Sequence, residues 1–185
     1  MSIIDSILNV FLGDKGKKDV KEVTPIVNSV IKFEEELSKI SNDQLRSITQ
    51  EFKDEIKQLK DPFSREIEDI NKIIEKSENI DENNASYKQI KKIQDQYLDK
   101  LDDYLNSILP KAFAVVKETT KRFKNNKEIS VKATTFDENL SSIKSYVKLN
   151  GNSAIWSNSW DAAGKSIKWD MIHYDVQLIG GIALH

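Results

Sequence analysis

A carboxamide and two neutral side chains near the end of the 185-residue chain form the pattern best suited to ligand chemistry. Gln177 lies two residues after Asp175, a residue type that caps helices, and leads into the apolar run Leu178–Leu184. A glutamine side chain donates and accepts at once, so it pairs with both N6 and N7 of adenine. Met171 and Tyr174 would add apolar and stacking surface. The residues predict an adenine reader, and a merely solvated glutamine at a helix start is the alternative.

Other chemistries find less support in the sequence. The chain has no cysteine, which excludes disulfides and thiolate sites and suits a reducing cytosol. His173 and His185 belong to no acidic cluster with metal spacing, and no nucleophile–base pair stands out. His173 is expected either to line the nucleotide pocket or to pack. The triplet Gly164-Lys165-Ser166 is not a phosphate loop, because Trp160 occupies the loop region and an extended stretch follows. We therefore predict no catalytic residue and no metal ligand.

Two ordered blocks carry a family resemblance. Leu109–Glu118 reads LPKAFAVVKE, and Met171–Gly181 reads MIHYDVQLIGG. These blocks resemble the patterns L-P-x-A-F-A-V-V-[KR]-E and M-x-H-[FY]-D-V-Q-L-x-G-G of the SecA family of preprotein translocase ATPases. Ile172 stands where many members have a basic residue, so any contact made by that side chain is absent here.

The resemblance implies a function for the complete protein. It implies ATP as cofactor, with magnesium held by segments beyond residue 185, and a motor that pushes unfolded preproteins through a SecY-type channel. Implied partners are that channel, the preproteins, anionic membrane lipid and a second copy of the chain in a homodimer. The implied location is cytoplasmic, peripheral at the inner face of the bacterial cell membrane. The alternative function is a free-standing helical interaction module without nucleotide.

The resemblance also sets expectations about the chain's extent. In the family a strand and a G-x-G-K-T loop follow the second block, and they would begin after His185. The chain is thus expected to be a truncated front end, inactive by itself. The run Leu178–Leu184 is expected to lack its covering, so residues after Asp175 are expected to be poorly packed. The implied fold is an N-terminal helical part followed by the first segment of a P-loop, helicase-like α/β nucleotide-binding domain.

Composition favours a mostly α fold with a small β-rich insert. Charged residues make up 31% of the chain and apolar residues 38%, with only six glycines and three prolines. The net charge of −2 provides no overall attraction to nucleic acid, which is not among the predicted partners. No apolar run approaches the roughly 20 residues that span a bilayer.

The first residues predict a short amphipathic helix, Ser2–Leu12, ended by Gly13 and followed by a lysine-rich loop. Such a helix would lie on an anionic membrane or a channel, with the lysines near the surface, or it would dock on the domain or on another subunit. The residues of this predicted contact are Ile4, Ile7, Leu8, Phe11, Lys15, Lys17 and Lys18.

The remaining segments are predicted as scaffold. In segment 1–60, one helix starts at Thr24-Pro25 or runs through from Val20, and a second begins at a Ser41/Gln44 capping box and ends at Asp61-Pro62. Segment 61–108 is predicted as an antiparallel helical hairpin with its turn at Asn79–Asn84, inserted relative to the shorter pattern of the resembled family. Its charged residues would form an ordinary solvated face or bind a partner.

Segment 109–124 is predicted as a new helix with Pro110 in its first turn, and segment 169–185 as the adenine side of the nucleotide domain. Segment 125–168 is predicted as the β-rich insert, with strands at 129–133, 146–149, 154–156 and 167–169 and a turn at Asn150-Gly151. Its tryptophans, Trp156, Trp160 and Trp169, would form a small core or stack on a base or peptide.

Overall fold

The computed structural model describes residues 14–184. These residues fall into two compact units, one formed by the chain up to Ser47 together with the chain from Pro110 onward, and the other by Ile48–Leu109. Within the described range no helix combines the length and hydropathy that a membrane span requires.

The first described helix, α1, runs from Asp14 to Leu37 and contains Pro25. Val27 and Val30 are fully buried and Leu37 is nearly so, which gives α1 a buried stripe with helical spacing. The helix therefore begins upstream of Thr24-Pro25. This agrees with the second predicted alternative, a helix that runs through from Val20. The lysine-rich stretch expected to form a loop, Lys15 to Lys18, belongs to α1, and the predicted helix Ser2–Leu12 lies outside the described residues.

A capping box starts α2, which spans Asn42–Ile74. The Ser41 backbone N–H donates to Gln44 Oε1 at 2.9 Å, and the Gln44 N–H donates to Ser41 Oγ at 3.2 Å, so the predicted start is confirmed. The predicted end is wrong, because α2 continues through Pro62. A proline removes one hydrogen bond from the helix, and the apolar stripe that continues to the buried Ile70 outweighs that local signal.

The third helix, α3, extends from Ile80 to Asn125, so Pro110 lies inside a helix rather than at the start of one. Interior proline costs about 3 kcal/mol. Buried residues on both sides, Ile93 and Ala114, show that packing maintains the helix through this position.

The unit Ile48–Leu109 is a helical hairpin. The rings of Phe63 on α2 and Tyr97 on α3 lie 5.6 Å apart, and the Tyr104 hydroxyl donates to Glu55 at 2.7 Å, so the two helices run antiparallel. The turn precedes the predicted position. Asn79 Oδ1 accepts the Asp81 N–H at 3.0 Å and caps α3, leaving residues 75–79 as the link.

Five strands follow α3. Antiparallel β1 (Glu128–Lys132), β3 (Ser153–Ser157) and β2 (Val147–Asn150) form a sheet in the order β1-β3-β2, and β4 (Ser159–Ala162) pairs with β5 (Lys165–Lys168). The sheet buries Ile129, Val131 and Ala154 beneath Phe123 and Trp156. The strands predicted from alternation are confirmed as β1, β2, β3 and β5, whereas β4 and the short helix α4 (Thr135–Ser141) were not foreseen.

Gly164 lies in a two-residue hairpin turn. Ala163 has φ 51° and Gly164 has φ 76°, the paired positive values that close a tight β4–β5 connection. Lys165 and Ser166 belong to β5, so the triplet stands in a β-hairpin and not at the start of a helix.

The last helix, α5, spans Asp175–Ala183 and packs on α1. Leu178 is 2% exposed and Ile182 is 9% exposed. The expectation that this apolar run lacks its covering is therefore wrong for these two side chains. At Gly181 the helix approaches Phe113 of α3 so closely that an added Cβ would stand 2.8 Å from the ring.

Candidate functional site

Gln177 is held in place by its own helix start. Tyr174 occupies the N-cap position of α5 with extended backbone angles, φ −78° and ψ 154°. Its N–H donates to Gln177 Oε1 at 2.8 Å. Asp175, the predicted cap, is instead the first helical residue. Because the carboxamide oxygen accepts a backbone hydrogen bond, the side chain has a fixed orientation.

The three predicted base-contact residues lie together in one short segment and face outward. Gln177 is exposed, Tyr174 is 73% exposed and Met171 is 41% exposed. An amide oxygen has two lone pairs, so Gln177 Oε1 accepts a second hydrogen bond while its nitrogen donates. The arrangement presents a carboxamide beside an aromatic ring and a thioether, which suits the edge and face of a purine.

The β-rich insert contacts this segment through a tryptophan. The Trp169 indole N–H donates to the Met171 carbonyl at 2.8 Å, and its ring lies 6.4 Å from that of Trp160. Trp156 donates its indole N–H to Asp137 at 3.0 Å. Trp156 and Trp169 thus have structural partners, although all three tryptophans also line an open recess of about 430 Å³ beside Phe123 and Tyr146.

An ionic cluster holds the start of α5 against the rest of the unit. Lys117 Nζ of α3 lies 3.1 Å from Asp175 Oδ1 and 3.0 Å from Glu34 Oε2 of α1. Burial alone would lower the pKa of Lys117, but hydrogen bonds to Glu34 and Asp175 outweigh it, so the pKa is raised above its usual value. The ammonium therefore stays charged between two carboxylates.

Sequence reasoning missed this cluster. Its residues are 58 positions or more apart along the chain, and each taken alone looks like an ordinary surface charge. A signal did exist in the two recognised blocks. Phe113 and Lys117 stand four apart in the first block, on one face of α3, and contact Gly181 and Asp175 of the second.

His173 is half-buried, and its Nδ1 has no hydrogen-bond partner among residues 14–184. Within the same range no group of three His, Cys, Asp or Glu residues is arranged to hold a metal ion. The described surface at α5 presents a carboxamide, an aromatic ring and a thioether, groups that can form hydrogen bonds and stacking contacts.

Comparison with known proteins gives a consistent result. Residues 8–185 match the SecA DEAD-like domain family. The chain is 50% identical over its 185 residues to the protein translocase subunit SecA of Flavobacterium psychrophilum and 48% identical over the same length to that of Christiangramia forsetii. The SecA subunit of Bacteroides fragilis is 38% identical over 181 residues, or 98% of the chain.

The matches cover a small part of the relatives and all of this chain. The chain spans 17% of the Flavobacterium protein and 16% of the other two. Segments 61–108 and 125–168 lie within the Flavobacterium match, so they are not peculiar to this chain. No solved structure shows a significant match.

Proposed function

The chain belongs to the SecA DEAD-like domain family, and we propose that it forms the N-terminal part of a SecA-type, ATP-driven protein translocase. The family match covers residues 8–185, and the most similar relatives named above are translocase subunits. A free-standing interaction module finds no comparable support, because the similarity runs through the whole chain.

Adenine recognition is the contribution that the geometry of this chain supports best. This proposal rests on the hydrogen bond from the Tyr174 N–H to Gln177 Oε1, 2.8 Å long, which orients the carboxamide near the exposed side chains of Tyr174 and Met171. We assign Gln177 the hydrogen bonds to N6 and N7 of the base, and Met171 and Tyr174 its apolar and stacking contacts. A preorganised carboxamide gives up little conformational freedom on binding, which favours recognition.

The experiment uses the complete protein and two variants of one residue. Gln177→Ala removes both the base contact and the helix cap, whereas Gln177→Glu keeps an oxygen for the Tyr174 N–H and replaces the amide donor with a charged oxygen that only accepts. Both variants should bind ATP about 1–3 kcal/mol more weakly, with a much smaller change for GTP. Calorimetric titration measures both affinities, and thermal unfolding checks the cap.

The comparison of the two variants isolates the base contact from folding. Gln177→Glu should retain the parental unfolding temperature while it loses ATP affinity. Equal losses for ATP and GTP, or an unchanged ATP affinity in Gln177→Glu, would contradict the base-reading role.

The remaining features of the motor belong to the complete protein. We assign ATP and magnesium binding to a P-loop nucleotide domain whose phosphate-binding segments lie beyond residue 185. We assign the channel and lipid contacts to the N-terminal segment that contains Ile4, Ile7, Leu8 and Phe11. The lysines at 15, 17 and 18 would then extend this contact along the first turns of α1. A SecY-type channel, unfolded preproteins and a second copy of the chain are the proposed partners, at the inner face of the cell membrane.

A further inference from the structure

One face of α5 carries an ion pair and two buried apolar side chains. Asp175, Leu178 and Ile182 follow one another at i, i+3 and i+7, so they share a face. Leu178 and Ile182 are buried, and Asp175 binds Lys117. Gln177 lies two residues beyond Asp175, which rotates it by about 200° to the opposite side. Whatever fixes the buried face therefore fixes where Gln177 points.

The apolar contacts on that face leave the orientation of α5 incompletely determined. Hydrophobic burial is non-directional and tolerates a small rotation or slide of a nine-residue helix. The ion pair between Lys117 and Asp175 acts between two atoms 3.1 Å apart at the end of α5 nearest Gln177. This ion pair adds a directional contact between α3 and that end of α5.

We propose that Lys117 is a positioning residue for adenine recognition, which acts through Asp175 to set the orientation of the Gln177 carboxamide. The proposal rests on the adenine contact proposed above and adds a residue from another helix to it. Lys117 would touch neither base nor phosphate. Its effect reaches the nucleotide only through the start of α5.

Lys117 is itself held firmly enough for this role. Only 12% of its side chain is exposed, and its ammonium is shared with Glu34 of α1, whose side chain is 17% exposed. A lysine between two carboxylates loses its freedom to change rotamer, so its position is transmitted to Asp175. The start of α5 is thus held by a lysine of α3 that is itself paired with α1.

The test measures the preference for ATP over GTP in the complete protein. Lys117→Met removes the charge and keeps an unbranched side chain of similar reach, and it should reduce the preference about three- to tenfold. GTP affinity should change by less than about twofold, because the phosphate contacts are elsewhere. Lys117→Arg should restore most of the preference, since it keeps the charge near Asp175.

A matched control and a second variant protect the test from folding effects. Lys121 lies one turn further along α3 and pairs with Glu34 at 3.5 Å and with Glu118 at 3.9 Å. Lys121→Met therefore removes a lysine that shares Glu34 with Lys117 without touching Asp175, and it should leave the preference unchanged. Asp175→Asn breaks the pair from its other end and should reproduce the loss seen for Lys117→Met.

A double variant shows whether Lys117 acts through Gln177. If it does, adding Lys117→Met to Gln177→Ala should cause no further loss of the preference. Additive losses, or a preference unchanged in both Lys117→Met and Asp175→Asn while Gln177→Ala reduces it, would overturn this proposal alone. An unchanged preference in Gln177→Ala would overturn the adenine contact and, with it, this inference.

Discussion

Asp137 makes the β-rich insert dependent on a single buried charge. Its side chain is fully buried, and Arg46 donates to both carboxylate oxygens, at 2.8 and 3.0 Å. The Thr134 N–H and hydroxyl and the Trp156 indole N–H donate as well, at 2.9, 2.8 and 3.0 Å. Burial alone would raise the pKa of Asp137, but the hydrogen bonds from Arg46, Thr134 and Trp156 outweigh it and lower the pKa from 3.8 to about 2.

The lowered pKa corresponds to a measurable share of stability. At 1.36 kcal/mol per pKa unit, the change from 3.8 to about 2 is worth about 2.4 kcal/mol of unfolding free energy. Because the pKa is lower in the folded chain than in the unfolded chain, this stabilisation is complete above about pH 4. It is lost as the pH falls from about 4 to about 2.

Asp137→Asn should therefore destabilise the chain most at neutral pH. It replaces one accepting oxygen with an amide that faces other donors, and it leaves Arg46 without its partner. We expect the variant to lose about 3 kcal/mol of unfolding free energy relative to the parent chain at pH 7. Near pH 2 the parent chain has itself lost the stabilisation from ionised Asp137, so the difference between the two should be smaller by about 2 kcal/mol.

Denaturant unfolding followed by tryptophan fluorescence measures both values, since Trp156 contacts Asp137 directly. Glu138→Gln is the matched control, because it neutralises the exposed carboxylate next in sequence and should change stability by less than about 0.5 kcal/mol. A cost for Asp137→Asn that is below about 1 kcal/mol at pH 7, or that is the same at both pH values, would refute the reasoning.

Two further predictions concern the proposed motor. Deleting residues 2–12 from the complete protein should abolish binding to anionic vesicles and leave ATP turnover in solution intact, and replacing Lys15, Lys17 and Lys18 with glutamine should weaken vesicle binding most at low salt. Unchanged vesicle binding after the deletion would leave only a docking role for this segment. The 185-residue chain alone should neither bind ATP tightly nor hydrolyse it, because phosphoryl transfer depends on positioning and charge neutralisation at the phosphates. Calorimetry and a phosphate-release assay test this, and micromolar affinity or turnover above a protein-free blank would place the active site within these residues.

Local signals in the sequence predicted local structure well. The Ser41/Gln44 capping box works because both of its hydrogen bonds join residues three apart. The alternating pattern at Ile129–Ala133 matches a strand whose Ile129 and Val131 lie in one buried cluster. The strand predicted at Tyr146–Leu149 is also present, and it buries Val147 but leaves Leu149 exposed. Pro62 and Pro110 misled the prediction of helix ends for the opposite reason. Both are local signals that the buried stripes on either side outweigh.

In the candidate site, too, residues close together in the sequence could be predicted, and contacts between distant residues could not. Gln177, Tyr174 and Met171 were found because they lie within seven residues of one another. The Lys117 cluster was not found, because its three residues lie on three different helices and meet only in the folded chain. Asp137 was likewise not singled out. Thr134 and Asp137 form a capping box that marks the start of α4, but the contact of Asp137 with Arg46, 91 residues away, has no local signal.

The corner between α1 and α2 is closed by an arginine that is synthesised much later. Arg122 donates to the carbonyls of Leu37 and Ile40, at 2.8 and 2.9 Å, and to Asn42 Oδ1 at 2.8 Å, across 80 to 85 positions of sequence. Leu37 is the last residue of α1, where carbonyls lack partners within the helix, and Ile40 lies in the turn before α2. The hairpin Ile48–Leu109 makes its contacts within itself, so we expect it to form during translation before Arg122 can reach this corner. We expect a nascent chain that stops short of residue 122 to contain the hairpin without the corner that precedes it.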